Sequence, residues 1–184
     1  NSYKAHRGLR SMLEAEYIGL GGKFNFLKFG WVNSLYQPLW SKGTIKYRVD
    51  LKLIVPMDDN MKTEVPLSER YFLGGDNTVR GYRPFCIGPK FPGTDDPMGG
   101  VSSTLLSMEY SQQILKMFDL FAFADAGAVS NTAYHIPQLR ASVGVGARLE
   151  VMPRAPFTFG WGFPINPERS ADKRTFFFSM GGQF

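Results

Sequence analysis

TIKYRVDLKLIV, residues 44–55, alternates without a break. Ile45, Tyr47, Val49, Leu51, Leu53 and Val55 fall on one side of an extended chain. Thr44, Lys46, Arg48, Asp50 and Lys52 fall on the other. This period-2 pattern belongs to a β-strand with one apolar and one strongly polar face. LRASVGVGARLEV, residues 139–151, repeats it: Leu139, Ala141, Val143, Val145, Ala147, Leu149 and Val151 oppose Arg140, Ser142, Gly144, Gly146, Arg148 and Glu150. Strands in soluble sheets average ~5–6 residues. These runs are about twice that and reach the ~9–11 tilted residues that cross a bilayer.

Six further segments read as strands. Residues 9–19 set Leu9, Leu13, Ala15 and Tyr17 against Arg10, Met12, Glu14 and Glu16. Residues 23–36 carry aromatics on both faces and leave the phase open. Residues 102–112 set Leu106, Met108 and Tyr110 against Ser107, Glu109 and Ser111, and 118–127 set Leu120, Ala122 and Ala124 against Phe121, Phe123 and Asp125. Residues 157–163 alternate Phe157, Phe159, Trp161 and Phe163 with Thr158, Gly160 and Gly162. Residues 174–184 put Phe176, Phe178, Met180 and Phe184 on one face. The reading is an all-β, antiparallel, up-and-down meander of eight strands.

Composition narrows the classes. The 184 residues include 20 glycines, 16 phenylalanines and 8 tyrosines, a mix that favours strands and turns. A net charge of +5 is spread along the chain without a basic tract, which argues against a nucleic-acid partner. One cysteine, Cys86, excludes an internal disulfide framework. His6 and His135 have no neighbouring ligand pattern, so neither metal nor cofactor is expected. The Gly74–Gly81 segment lacks the lysine of a phosphate loop. No signal peptide opens the chain and residue 1 is not methionine, which reads as an excised or processed piece. Asp95 and Asp96 suit a turn or a cation, and Trp31, Trp40 and Trp161 suit interfacial anchors or core packing.

A soluble barrel or sandwich would turn its greasy face inward. Here strand length and aromatic content favour the opposite, a lipid-facing exterior and a wet interior. Short connections at 37–43, 113–117 and 153–156 interleave with longer ones at 56–101, 128–138 and 164–173, as outer-membrane barrels alternate turns and loops. Only 20–22 is short on the long-loop side.

The longest connection carries RYFLGGDNTVRGYRPF, residues 70–85, three glycines and four aromatics around Arg80. With FADAG at 123–127, LRASVGVGARLEVMPRAPFTFGWGFPI and the terminal FFFSMGGQF, it resembles the Omp85 superfamily, the BamA-type outer-membrane assembly proteins. The resemblance covers residues 7–184 and is strongest from 68 onward. It implies that residues 1–184 are the C-terminal part of the barrel (the surface-antigen domain), the last eight strands of sixteen. It places the POTRA repeats and the first eight strands outside residues 1–184. It also implies that the loop at 56–101 folds into the lumen with its motif Val79, Arg80, Gly81 and Tyr82. Gly74, Gly75 and Gly81 permit the tight backbone path. Gly127 closes the FADAG motif.

An arginine with little water around it needs carboxylates. Glu109 and Asp125 are phased to the polar face, and by resemblance these are the positions that partner the loop arginine. The terminal strand resembles the β-signal by which outer-membrane proteins are recognised for assembly. Its seam residues are Phe176, Phe178, Met180, Gly181, Gly182 and Phe184, with Gly182 where many such signals carry a larger apolar residue.

The function implied is a non-enzymatic factor of the outer membrane, in a Gram-negative bacterium or an organelle of bacterial origin. It would fold and insert nascent outer-membrane β-barrel proteins through a seam beside the last strand. Its partners would be outer-membrane lipid, those nascent barrels, and assembly lipoproteins in the full complex. The alternatives are a secretion or translocation pore of the same superfamily (two-partner secretion or Tam-type) and a lipid-modifying barrel enzyme using His135. Alone, the eight strands would close on themselves, displacing the 56–101 loop outward, or self-associate through their open edges.

Overall fold

The computed structural model describes residues 7–19, 25–40, 42–57, 65–133, 135–152 and 155–180. Eight strands follow the order of the chain: β1 (Gly8–Ile18), β2 (Phe26–Pro38), β3 (Gly43–Pro56), β4 (Ser102–Leu115), β5 (Phe118–Ser130), β6 (Arg140–Met152), β7 (Ala155–Pro164) and β8 (Phe176–Met180). Each pairs antiparallel with its neighbours in a single sheet ordered β1 to β8.

Tight connections lie at one end. Between β2 and β3 the Leu39 N–H donates to Gly43 O and the Gly43 N–H to Trp40 O, with Lys42 at a positive φ of 64°. Between β4 and β5 Leu115 pairs directly with Phe118 across Lys116 and Met117, after a bulge between Gln113 and Leu115. The long connections gather at the other end.

Register settles which face is which. Lys46, Glu109, Phe123, Gly144 and Gly162 form one line across β3 to β7. Ser107, Asp125 and Ser142 form the next. On this inner face Asp50, Glu109, Asp119, Asp125 and Arg148 are buried together with Ser103, Ser107, Ser111 and Ser142. On the outer face Leu106, Met108, Leu120, Val143, Val145, Phe163, Phe176 and Phe178 are exposed. Charges inside and a continuous apolar exterior invert the soluble pattern and fit a sheet whose outer solvent is lipid. The phase left open for 23–36 is settled by pairing: Phe29 opposes Leu53 and Trp31 opposes Leu51, so both point outward. Phe26 instead turns in at the strand's end, into a cluster with Ile54, Val65 and Val101.

The long connection between β3 and β4 lies on the inner face. Leu73, Val79, Tyr82 and Ile87 pack with Leu105 of β4 and Val129 of β5. Fully burying such side chains stabilises by ~1.5–3 kcal/mol each, enough to hold a loop that also carries backbone rungs at Tyr71/Gly100, Leu73/Ile87 and Lys90/Pro97.

Three expectations need correcting. Among the described residues the sheet is open, with no pairing between β1 and β8, so the closed eight-strand form is not seen. The loop has not been displaced outward, because the Arg80 ion pairs and the cluster around Leu73, Val79, Tyr82 and Ile87 are made with β4 and β5 and do not need a closed wall. The last strand begins at Phe176 rather than residue 174, since Arg174 turns its N–H to the loop instead of to β7. Gly181, Gly182 and Phe184 lie outside the described residues, as does His6.

Candidate functional site

The loop reaches the sheet as a chain of tight steps. The Gly74 N–H donates to Thr78 Oγ1 at 2.9 Å and the Gly75 N–H to Tyr82 O at 3.1 Å, closing residues 75–82 into a compact bend. Gly74, Gly75 and Gly81 hold φ of 106°, 96° and 88°, where only glycine is unstrained. At Gly81 there is a second requirement: a Cβ would lie 2.8 Å from the carbonyl carbon of Gly162 on β7. Gly127 of β5 is similarly confined, since a Cβ there would lie 2.9 Å from both Leu73 and Val79.

This bend delivers Arg80 to the wall with no exposed surface. Its Nε donates to Asp125 Oδ2 at 2.8 Å and its Nη2 to Asp125 Oδ1 at 2.9 Å, a two-pronged contact. The Arg80 backbone N–H adds a third bond to Asp125 Oδ2 at 3.1 Å. Nη1 donates to Glu109 Oε2 at 2.7 Å. Ser107 Oγ donates to Asp125 Oδ1 at 2.6 Å and so steadies the carboxylate. The guanidinium lies 3.6 Å from the centre of the Phe123 ring and 5.7 Å from that of Phe121, a cation–π arrangement that covers its face. Burial opposes the Arg80 charge, but the Asp125 and Glu109 carboxylates outweigh it and hold its proton more tightly than usual.

Glu109 is the hub. Its second oxygen accepts from Lys46 Nζ at 3.1 Å and from Arg148 Nη2 at 2.9 Å. Three cations from the loop, β3 and β6 therefore converge on one buried carboxylate. Such a cluster is costly to bury and costlier to break, since removing a partner strands a charge. It resists separation of loop and wall.

The wall is shaped to receive rings. A Cβ on Gly144 would come within 2.5 Å of Phe123, one on Gly146 within 2.5 Å of Phe121, and one on Gly160 within 2.7 Å of Phe177. The inward glycines of β6 and β7 thus leave the space that Phe121, Phe123 and Phe177 fill.

Of the residues singled out from sequence, Arg80, Glu109 and Asp125 are in direct contact, with Val79, Gly81 and Tyr82 buried around them. Phe176, Phe178 and Met180 sit apart, on the exposed side of β8. Trp31, Trp40 and Trp161 are exposed rather than core. Cys86 packs against the loop cluster. Asp95 and Asp96 lie in a turn, where Asp95 pairs with Arg169 and the Asp96 N–H donates to Thr94 Oγ1. His135 is exposed, and its backbone oxygen accepts from Ser102 Oγ.

Sequence reasoning missed Lys46 and Arg148 as partners of Glu109, although both were on polar faces. It also missed Asp172. That residue sits in the β7–β8 connection, is buried, and takes Lys90 Nζ at 3.0 Å. No periodicity marks such a loop position.

Comparison with known proteins agrees with this architecture. The Omp85 superfamily domain model matches residues 1–184. An outer membrane protein assembly factor BamA from Nitratidesulfovibrio vulgaris (strain Hildenborough) is 29% identical over 136 residues, covering 68% of this chain and 17% of its own length. The crystal structure of BamA from Haemophilus ducreyi lacking POTRA domains 1–3 superposes with a TM-score of 0.83 at 22% identity, a likeness of fold covering 98% of this chain and 40% of that one. The chain thus spans a minor part of the relatives it matches. With all of its residues inside the family's domain, the chain belongs to the Omp85 superfamily and its strands are those of an outer-membrane barrel.

Proposed function

We propose that this chain is the C-terminal half of a sixteen-strand barrel that folds and inserts outer-membrane β-barrel proteins. It would do so through a seam beside β8, with outer-membrane lipid and assembly lipoproteins as its other partners. One observation carries the reading: β8 closes the sheet order, paired with β7 along one edge and, among the described residues, with no strand along the other. That free edge of N–H and C=O groups can template an incoming strand. A thinned bilayer beside that edge would also lower the barrier to insertion. The Arg80 clamp holds the loop while the seam works. The activity needs no covalent step.

A photo-cross-linker at Ser179 of the full-length protein tests this in cells expressing a stalled barrel substrate. Cross-links to strands of several nascent barrel proteins are expected, with loss of many outer-membrane barrels on depletion. Depletion that leaves those barrels intact and blocks export of a single secreted partner would instead assign a pore of the same superfamily.

A further inference from the structure

The motif loop touches more than the wall it is clamped to. The Arg174 N–H donates to Gly81 O at 2.9 Å, and the Arg83 N–H donates to Asp172 O at 2.9 Å. Tyr82 and Lys173 are antiparallel bridge partners between them. Residues 172–174 lead directly into β8, where the next rung is the Gly162 N–H to Thr175 O at 2.7 Å. The approach to the last strand therefore changes partner, from the loop at 172–174 to β7 at 175–180.

Side chains reinforce this ladder. Lys90 pairs with Asp172 at 3.0 Å, both largely buried, and Arg83 Nη1 reaches Ala171 O at 3.4 Å. A second route runs through the rings. Phe177 is the buried residue of β8, and its ring centre lies 5.6 Å from that of Phe123, the ring against which Arg80 is stacked. Arg80 is thus one residue from the ladder on one side and one ring from β8 on the other.

We infer that the loop is a strut: its seating through Arg80 on β4 and β5 sets how firmly β8 is held to β7, so that release of the clamp loosens the last strand. Asp172 is the positioning residue of the strut, because it takes the loop backbone through its carbonyl and Lys90 through its carboxylate. Only the consequence for assembly rests on the seam reading. The coupling itself is independent of what the seam is used for.

Hydrogen exchange in the full-length protein in lipid nanodiscs reads the coupling directly. By the alternation of an antiparallel ladder, the amides of Phe177 and Ser179 are the ones aimed at β7. In Arg80→Ala their exchange is expected to rise about tenfold or more, while the amides of residues 45–55 stay protected. Asp172→Ala removes the strut's side-chain tie to Lys90 and leaves the clamp and the backbone rungs, so it should speed exchange at Phe177 and Ser179 while residues 79–82 keep their protection. It also serves if Arg80→Ala fails to fold. Unchanged exchange at Phe177 and Ser179 in Asp172→Ala would overturn the inference, as would the same result in a folded Arg80→Ala whose loop has become protease-sensitive. Raised exchange with undiminished barrel assembly would leave the strut standing and count against the seam reading alone.

Discussion

Gly81 of the loop and Gly162 of β7 lie backbone against backbone: a Cβ added to Gly81 would sit 2.8 Å from Gly162 C, and one added to Gly162 would sit 2.8 Å from Gly81 N. Neither neighbour is the end of a flexible side chain, so neither can give way. Gly81→Ala also forces a Cβ onto a φ of 88°, a region that costs non-glycine residues ~1–2 kcal/mol by itself. Both Gly81→Ala and Gly162→Ala should unseat the loop and expose it to protease in the folded full-length protein. Gly93→Ala is the control: its φ is 78°, but nothing lies within 4 Å. Equal protease sensitivity in all three would mean that strain, not the close approach, governs the seat.

The outer face supplies a second expectation. Val145, near the middle of β6, is 53% exposed, and its cross-strand neighbours Ala122 and Trp161 are apolar. If lipid is their solvent, Val145→Arg should destabilise the full-length barrel by ~2–4 kcal/mol when folded into vesicles. Denaturant unfolding in lipid measures it. A loss under about 0.5 kcal/mol, the range of an ordinary surface substitution in water, would return this face to water.

Cys86 gives a pH-dependent test of the loop's packing. Burial first, and the nearby Asp172 carboxylate second, push its thiol up to about 11. A raised pKa keeps the thiol neutral at ordinary pH, and the reactive species is the thiolate. Alkylation at about pH 8 should therefore be slow, rising about tenfold per pH unit until the thiol ionises near 11. Asp172→Asn should speed it only in part, because burial is the larger cause. Labelling at pH 8 as fast as that of an exposed cysteine would show the thiol unburied.

Much of this arrangement was legible in the sequence, because period-2 alternation is a local property. The faces of β3, β4, β5 and β6 follow from it, and so does the inward phase of Glu109 and Asp125. β2 was not legible, since aromatics occupy both of its faces; its phase is decided by which strand it pairs with. The convergence of Lys46, Arg148 and Arg80 on Glu109 also depends on register. Lys46 meets Glu109 across β3 and β4, which are joined by a long loop whose geometry no local pattern encodes. Asp172 lay beyond reach for a related reason. It acts from an irregular connection, through partners 82 to 89 positions away.

The central claim is that the loop is held to the wall by the contact between Arg80 and Asp125. A double-mutant cycle on those two residues in the full-length protein, read by heat-modifiable gel mobility and by loop proteolysis, tests it most directly. Each single change, Arg80→Ala or Asp125→Ala, strands a buried charge and should cost ~3–5 kcal/mol. The double mutant should cost less than the sum. Arg80→Lys should restore only part of the loss, since an ammonium cannot make the two-pronged contact. Arg83→Ala, whose side chain is exposed, should change little. Additive losses at Arg80 and Asp125, or a loop released by Arg83→Ala and not by Arg80→Ala, would contradict the account.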